Sequence, residues 1–241
     1  MYGVIDSKSV EVMSSNPFRS IKLTGESYPL DNVRLLAPCL PSKIVALGVN
    51  YRNHAQEMNS NLPKNPLIFL KPPTAVIGPE DKIVHPPSSH QVDYEGELGV
   101  VIRKKAKRIN KEQAKDYILG YTCVNDVTAR DLQKSDGQWT RSKGFDTFAP
   151  IGPCIETELD DTNLDIETYI NGRLAQKGNT RDLVFDVSEL VSFVSHVMTL
   201  LPGDIIATGT PAGVGPMQPG DTVEIKIKGI GGLRNYVVRQ S

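Results

Sequence analysis

The chain has 241 residues and a formal net charge of −1, from 27 basic and 28 acidic side chains. That balance gives no footprint for a nucleic-acid or anionic-membrane partner, and no apolar run nears the roughly 18 residues of a membrane helix. The three cysteines, Cys39, Cys123 and Cys154, are odd in number and widely spaced without a CxxC pair, so neither a disulfide framework nor a cysteine zinc site is supported. They read as small core residues in a reducing, cytoplasmic setting, and the opening MYGVIDSKSV has no signal-peptide pattern.

Residues 1–40 hold short alternating segments and end between Pro38 and Pro41, which predicts a small N-terminal module ahead of a main domain over 41–241. The strand-like KIVALG leads into NYRNHAQEMNS, 50–60, which reads as a short helix with His54 and Glu57 at i and i+3 on one face. A carboxylate partner fixes a histidine's tautomer and stabilises the imidazolium, which makes a competent general base, although an ordinary surface pair has the same spacing. His85 and His90 bracket a proline-containing linker and do not read as metal ligands.

The run VDYEGELGVVI, 92–102, reads as one strand. Alternation puts Val92, Tyr94, Gly96, Leu98, Val100 and Ile102 on an apolar face and Asp93, Glu95 and Glu97 on the other. Glu95 and Glu97 are then about 7 Å apart along the backbone, so their carboxylates can converge. Converging carboxylates repel unless a proton or cation sits between them, and on this stretch alone a divalent cation and a solvated acidic face both remain open. The basic run RKKAKR, 103–108, follows the strand and reads as its solvated end.

A third acid comes from YTCVNDVTARDLQ, where a β-branched run stops at Asn125-Asp126 and a helix-compatible TARDLQ follows. Two glutamates and one aspartate without a cysteine suit Mg²⁺ or Mn²⁺ better than Zn²⁺, with coordination positions left for substrate. Lys143 falls in the Gly/aromatic loop WTRSKGFDTFAP, where solvation is the ordinary fate of a lysine. LDIETYINGRLAQKG is a hairpin turned by Asn171-Gly172, a type I′ pair. DVSELVSFVSHVMTLL reads as a helix with Asp186 at the N-cap, Glu189 at N3 and an apolar stripe of Val187, Leu190, Val191, Val194, Met198 and Leu201, with His196 off it. Two PGD triplets, 202–204 and 219–221, predict type II turns before strands. Between them ATGTPAGVGP matches no nucleotide fingerprint and remains a glycine-rich loop whose backbone N–H groups can hold a carboxylate. The fold class is β-rich α+β with few helices.

In this order, DYEGELGVVI, NDVTARDLQ, SKGFDTFAPIGP, TYINGRLAQ and IIATGTPAGVG resemble the fumarylacetoacetate hydrolase family over about residues 43–238, on its acylpyruvase and oxaloacetate decarboxylase side. The resemblance implies curved mixed β-sheets enclosing the active site, and a homodimer. It implies Glu95, Glu97 and Asp126 as ligands of Mg²⁺ or Mn²⁺, His54 and Glu57 as a dyad on a lid helix, and Lys143 as an active-site lysine. Gln133, Gly209 and Thr210 then fall at substrate positions, with Arg52 toward the substrate's far end. The short N-terminal module resembles the bacterial members of that branch, not fumarylacetoacetate hydrolase itself. The implied substrate is a small 2-oxo acid, hydrolysed as an acylpyruvate or decarboxylated as oxaloacetate through a metal-stabilised enolate. Isomerisation or decarboxylation of 2-hydroxyhepta-2,4-diene-1,7-dioate-type dicarboxylates, oxaloacetate enol–keto tautomerisation, and a metal-dependent binding module without turnover are the alternatives.

Overall fold

The computed structural model describes residues 1–59 and 61–240, so Ser60, at the end of the expected 50–60 helix, lies outside the described residues. The chain divides into two compact units, Met1–Leu35 and a second that begins at Leu36. The first is an antiparallel sheet of Gly3–Asp6, Ser9–Met13 and Leu23–Pro29.

In the second unit a seven-stranded sheet runs, in spatial order, Leu67–Lys71, Ile44–Gly48, Ile205–Ala207, Gly96–Ile102, Ile118–Asn125, Ala149–Glu156 and Val76–Ile77. A five-stranded sheet runs Arg173–Asn179, Asp165–Ile170, Thr222–Ile227, Gly231–Arg239 and Lys82–His85. A small sheet joins Thr128–Ala129, Val92–Tyr94 and Gly215–Met217. Parallel pairings of Ile44–Gly48 with Ile205–Ala207 and of Lys82–His85 with Gly231–Arg239 make the larger sheets mixed. Register shifts near Tyr121 and at Thr168/Tyr169 bend them.

The main core lies between these sheets and one helix. Leu98, Val100 and Ile102 come from the seven-stranded sheet, Ile166, Ile225 and Ile227 from the five-stranded one, and Leu190, Val191 and Val194 from the helix Val187–Val197. The helix stops four residues short of the expected Leu201. Met198 turns extended, Leu200 bridges Ala106, and Leu201 precedes Pro202, a position that disfavours the helical region. Among the described residues no helix is long and apolar enough to cross a membrane.

Asp186 caps the helix, its Oδ1 accepting from the Glu189 N–H at 2.8 Å, but the reciprocal half of the capping box is not made: Glu189 faces Lys111 Nζ instead, at 3.5 Å. Asp186→Ala is expected to destabilise the protein by about 1 kcal/mol, read as a lower urea midpoint. An unchanged midpoint would mean that this cap contributes nothing.

Both short-range turn signals hold. Asn171 and Gly172 have φ of 50° and 77°, and Ile170 pairs with Arg173 across them. Gly203 and Gly220 have φ of 87° and 102°, and Asp204 and Asp221 close their turns onto Leu201 and Gln218 at 3.0 and 2.9 Å. The Asp204 and Asp221 carboxylates also accept the Leu201 and Gln218 N–H groups, which locks each turn from both sides.

Candidate active site

The expected single strand over 92–102 is broken at Glu95. Val92–Tyr94 belongs to the small sheet and Gly96–Ile102 to the seven-stranded one, and every residue of the run is buried, so neither face is a solvated acidic one. The break is held by side-chain bonds in place of a ladder. Glu95 N donates to Asn125 Oδ1 at 3.0 Å, and Gly96 N donates to Gln176 Oε1 at 3.0 Å. The Glu95 carbonyl accepts from Asp126 N at 2.9 Å, which brings the third acid alongside. One carboxylate oxygen from each of Glu95, Glu97 and Asp126 lies within 4.8 Å of the others, and all three residues are buried. A Cβ at Gly96 would drive into Thr168 Oγ1, so the glycine between the glutamates is what lets this break seat against the hairpin. Gly96→Ala is expected to cost about 1–3 kcal/mol by overpacking; a melt matching wild type would show that the hairpin yields.

The charges form an alternating chain. Arg130 Nε bonds Asp93 Oδ2 at 2.8 Å and its other terminus bonds Glu95 Oε1. Lys143 Nζ then bridges Glu95 Oε2 at 2.8 Å and Asp126 Oδ2 at 2.6 Å, and Lys71 Nζ meets Asp126 Oδ1 at 2.5 Å. Among the described residues Glu97 has no ion-pair partner, and its Oε2 accepts from the Gly209 N–H at 2.8 Å. The pKa directions follow. Burial pushes Glu95 up, but Lys143 and Arg130 outweigh it and hold the carboxyl well below its usual range. Burial, then Asp126 and Glu95, push Glu97 well above its own. Four buried carboxyl groups thus lie among the buried Lys71, Arg130 and Lys143, and burial pulls the Lys71 pKa below its ordinary value.

Lys143 is not in a solvated loop. It ends the short helix Thr140–Lys143, is 2% exposed, and its Nζ sits 5.0 Å from the centre of the Phe69 ring. Lys71 and Arg130 were not singled out in the sequence. Their signals were present: a lysine closing the apolar strand LIFLK, and an arginine one helical turn before Gln133 in TARDLQ.

His54 and Glu57 share the helix Arg52–Glu57 as expected, with His54 Nδ1 2.9 Å from Glu57 Oε2. The imidazole is buried. Glu57 Oε1 accepts from the Gly213 N–H at 2.9 Å, so the glycine-rich loop holds both the dyad and, through Gly209, Glu97. The other candidates are placed differently. Gln133 Oε1 accepts from Arg130 at 2.6 Å, and Arg52 is exposed on the dyad helix. The Thr210 hydroxyl donates to the Gly96 carbonyl at 2.9 Å and accepts from Gln176 at 2.9 Å, so it is engaged within the chain.

This donor set fits a hard divalent cation: three carboxylates, all oxygen, buried and convergent, one of them without a cationic partner. Residues 43–238 match the family model described as fumarylacetoacetate hydrolase C-terminal, and residues 1–38 match Rv2993c-like, N-terminal. The mitochondrial oxaloacetate tautomerase Fahd2a of Rattus norvegicus is 43% identical over 222 residues, covering 87% of this chain and 71% of its own. The crystal structure of a 2-hydroxyhepta-2,4-diene-1,7-dioate isomerase from Mycobacterium marinum superposes with a TM-score of 0.91 at 50% identity, covering 97% of this chain and 88% of its own. A maleylpyruvate hydrolase from Sphingobium sp. SYK-6, solved in complex with manganese(II) ion and pyruvate, gives 0.85 at 34% identity, covering 99% and 96%.

Proposed function

The chain belongs to the fumarylacetoacetate hydrolase family, and on that premise we propose that it is a divalent-metal-dependent enzyme that hydrolyses the C–C bond of acylpyruvates and decarboxylates oxaloacetate. The observation that carries this reading is that one glycine-rich loop holds two devices: Gly209 bonds Glu97 of the three convergent carboxylates, and Gly213 bonds Glu57, which holds the buried His54. Glu95, Glu97 and Asp126 would hold Mg²⁺ or Mn²⁺, which would supply Lewis-acid charge toward a 2-oxo acid.

The chain's own residues do the rest. With Nδ1 turned to Glu57, His54 keeps its Nε2 lone pair for a proton, taken from water in hydrolysis. Lys143 offsets the negative charge of a bound carboxylate. Gln133, its oxygen engaged by Arg130, has its amide nitrogen to donate to substrate. Gly209 and Thr210 fix the floor under Glu97, and Arg52 meets the far carboxylate of a dicarboxylic substrate. The substrate is a small molecule, and the working unit is a homodimer.

A ¹H NMR time course with Mg²⁺, offering acetylpyruvate and oxaloacetate in parallel against a Glu97→Ala control, tests this. Acetate with pyruvate from acetylpyruvate, and pyruvate from oxaloacetate above the metal-only background, are expected. Faster enol–keto exchange of oxaloacetate without pyruvate would overturn both reactions in favour of tautomerisation, the activity by which the 43% identical rat relative is named.

A further inference from the structure

The segment TYINGRLAQ ends at Gln176, a residue 1% exposed that takes no part in the chemistry above. Its carboxamide makes four bonds. Oε1 accepts from Gly96 N at 3.0 Å and from Thr168 Oγ1 at 2.9 Å. Nε2 donates to Thr210 Oγ1 and to the Pro211 carbonyl, both at 2.9 Å. Thr210 Oγ1 in turn donates to the Gly96 carbonyl at 2.9 Å, so Gln176, Thr210 and both peptide groups of Gly96 close a ring. Gly96 is the residue between the two glutamates. Thr210 and Pro211 belong to the loop that bonds Glu97 through Gly209 and Glu57 through Gly213. That loop also lies directly on Gln176: a Cβ at Gly213 would come within 3.3 Å of its Cα and Cγ.

We propose that Gln176 is a positioning residue, the junction that fixes the carboxylate half of the site to the loop carrying the dyad's support. The inference rests on the site assignment above. An amide suits this place because it offers an acceptor to the strand break and two donors to the loop, which a carboxylate or an apolar side chain of the same length does not. Outer partners that orient site ligands typically carry a ~10–100-fold effect on metal affinity or activity.

The test compares Gln176→Met and Thr168→Val with wild type in Mn²⁺ binding by calorimetry, in amide exchange at Gly209 and Gly213, and in kcat and KM. Thr168→Val removes one bond to the same oxygen and leaves the loop side intact. Gln176→Met is expected to weaken Mn²⁺ binding by ~10-fold or more, to expose both glycine amides, and to lower kcat more than it raises KM. Thr168→Val is expected to lower the melting temperature while holding Mn²⁺ affinity within about twofold. If Gln176→Met does not fold, Gln176→Glu keeps the acceptor and loses both donors; it is expected to expose Gly213 and lower kcat while still binding Mn²⁺. Wild-type Mn²⁺ affinity and protected glycine amides in the folded Gln176 variant would overturn the proposal, as would equal losses in Thr168→Val. If wild type consumes no 2-oxo acid while these amides respond to Gln176→Met, the reaction falls and the junction stands.

Discussion

Glu97→Gln is expected to leave less than ~1% of metal-dependent turnover and, in metal-free protein, to raise the melting temperature at neutral pH. Both effects come from one feature: Glu97 is the carboxylate that the chain of ion pairs leaves out. Burial and the neighbouring Asp126 and Glu95 hold its folded pKa well above the ordinary 4.5. Below that value Glu97 is protonated in both states and costs nothing. As pH rises the unfolded chain ionises freely while the folded one resists, so stability is lost across the window up to the folded pKa. Glutamine keeps the shape and removes that loss. Thermal unfolding in EDTA from pH 4 to pH 8 should therefore show wild type and variant converging at the acid end and separating with the variant higher at the neutral end. Mn²⁺ should raise the melting temperature of wild type and leave the variant unmoved. A Glu97→Gln protein with full activity and no added metal would sink the metal assignment.

His54→Ala is expected to lower kcat for acetylpyruvate by ~10²–10⁴-fold while Mn²⁺ still binds, because proton transfer is lost and the carboxylates are untouched. Loss of CO₂ from oxaloacetate needs no activated water, so decarboxylation should fall less than hydrolysis in the same variant. Glu57→Gln should give a smaller loss, since its one remaining oxygen can hold Nδ1 or the Gly213 amide but not both, and the imidazole stays. Equal rates for wild type and His54→Ala with acetylpyruvate would send the base role to another residue.

What the sequence revealed depended on how local the cause was. Asn171-Gly172 and both PGD triplets form their turns because four consecutive residues decide them. The helix at 187–197 was legible from its stripe and cap, and its end was misjudged because Pro202 and the Ala106–Leu200 bridge outweigh two further apolar residues. The three acids stood out by type and place. Their setting did not, because VDYEGELGVVI alternates like a single strand while its break is made by Asn125 and Gln176, 30 and 80 residues away. Lys71 reaches Asp126 across 55 positions and Arg130 reaches Glu95 across 35, so the local signals, a lysine closing LIFLK and an arginine one turn before Gln133, do not say which acid each one meets. Lys143 reads as solvated because it falls in a Gly/aromatic loop; in the fold its ammonium is taken up by the carboxylates and lies against Phe69.

The alternating chain from Asp93 through Arg130, Glu95, Lys143 and Asp126 to Lys71 also bears on how the protein matures. Arg130 and Lys143, both pKa values raised, already set cations supplied by the polypeptide against Asp93, Glu95 and Asp126. Were Mg²⁺ or Mn²⁺ held as proposed, its loading would then be a late, reversible step that follows folding. A chelator should silence such an enzyme without unfolding it, and the ion it carries would follow the free Mg²⁺ and Mn²⁺ around it, not the moment of its synthesis.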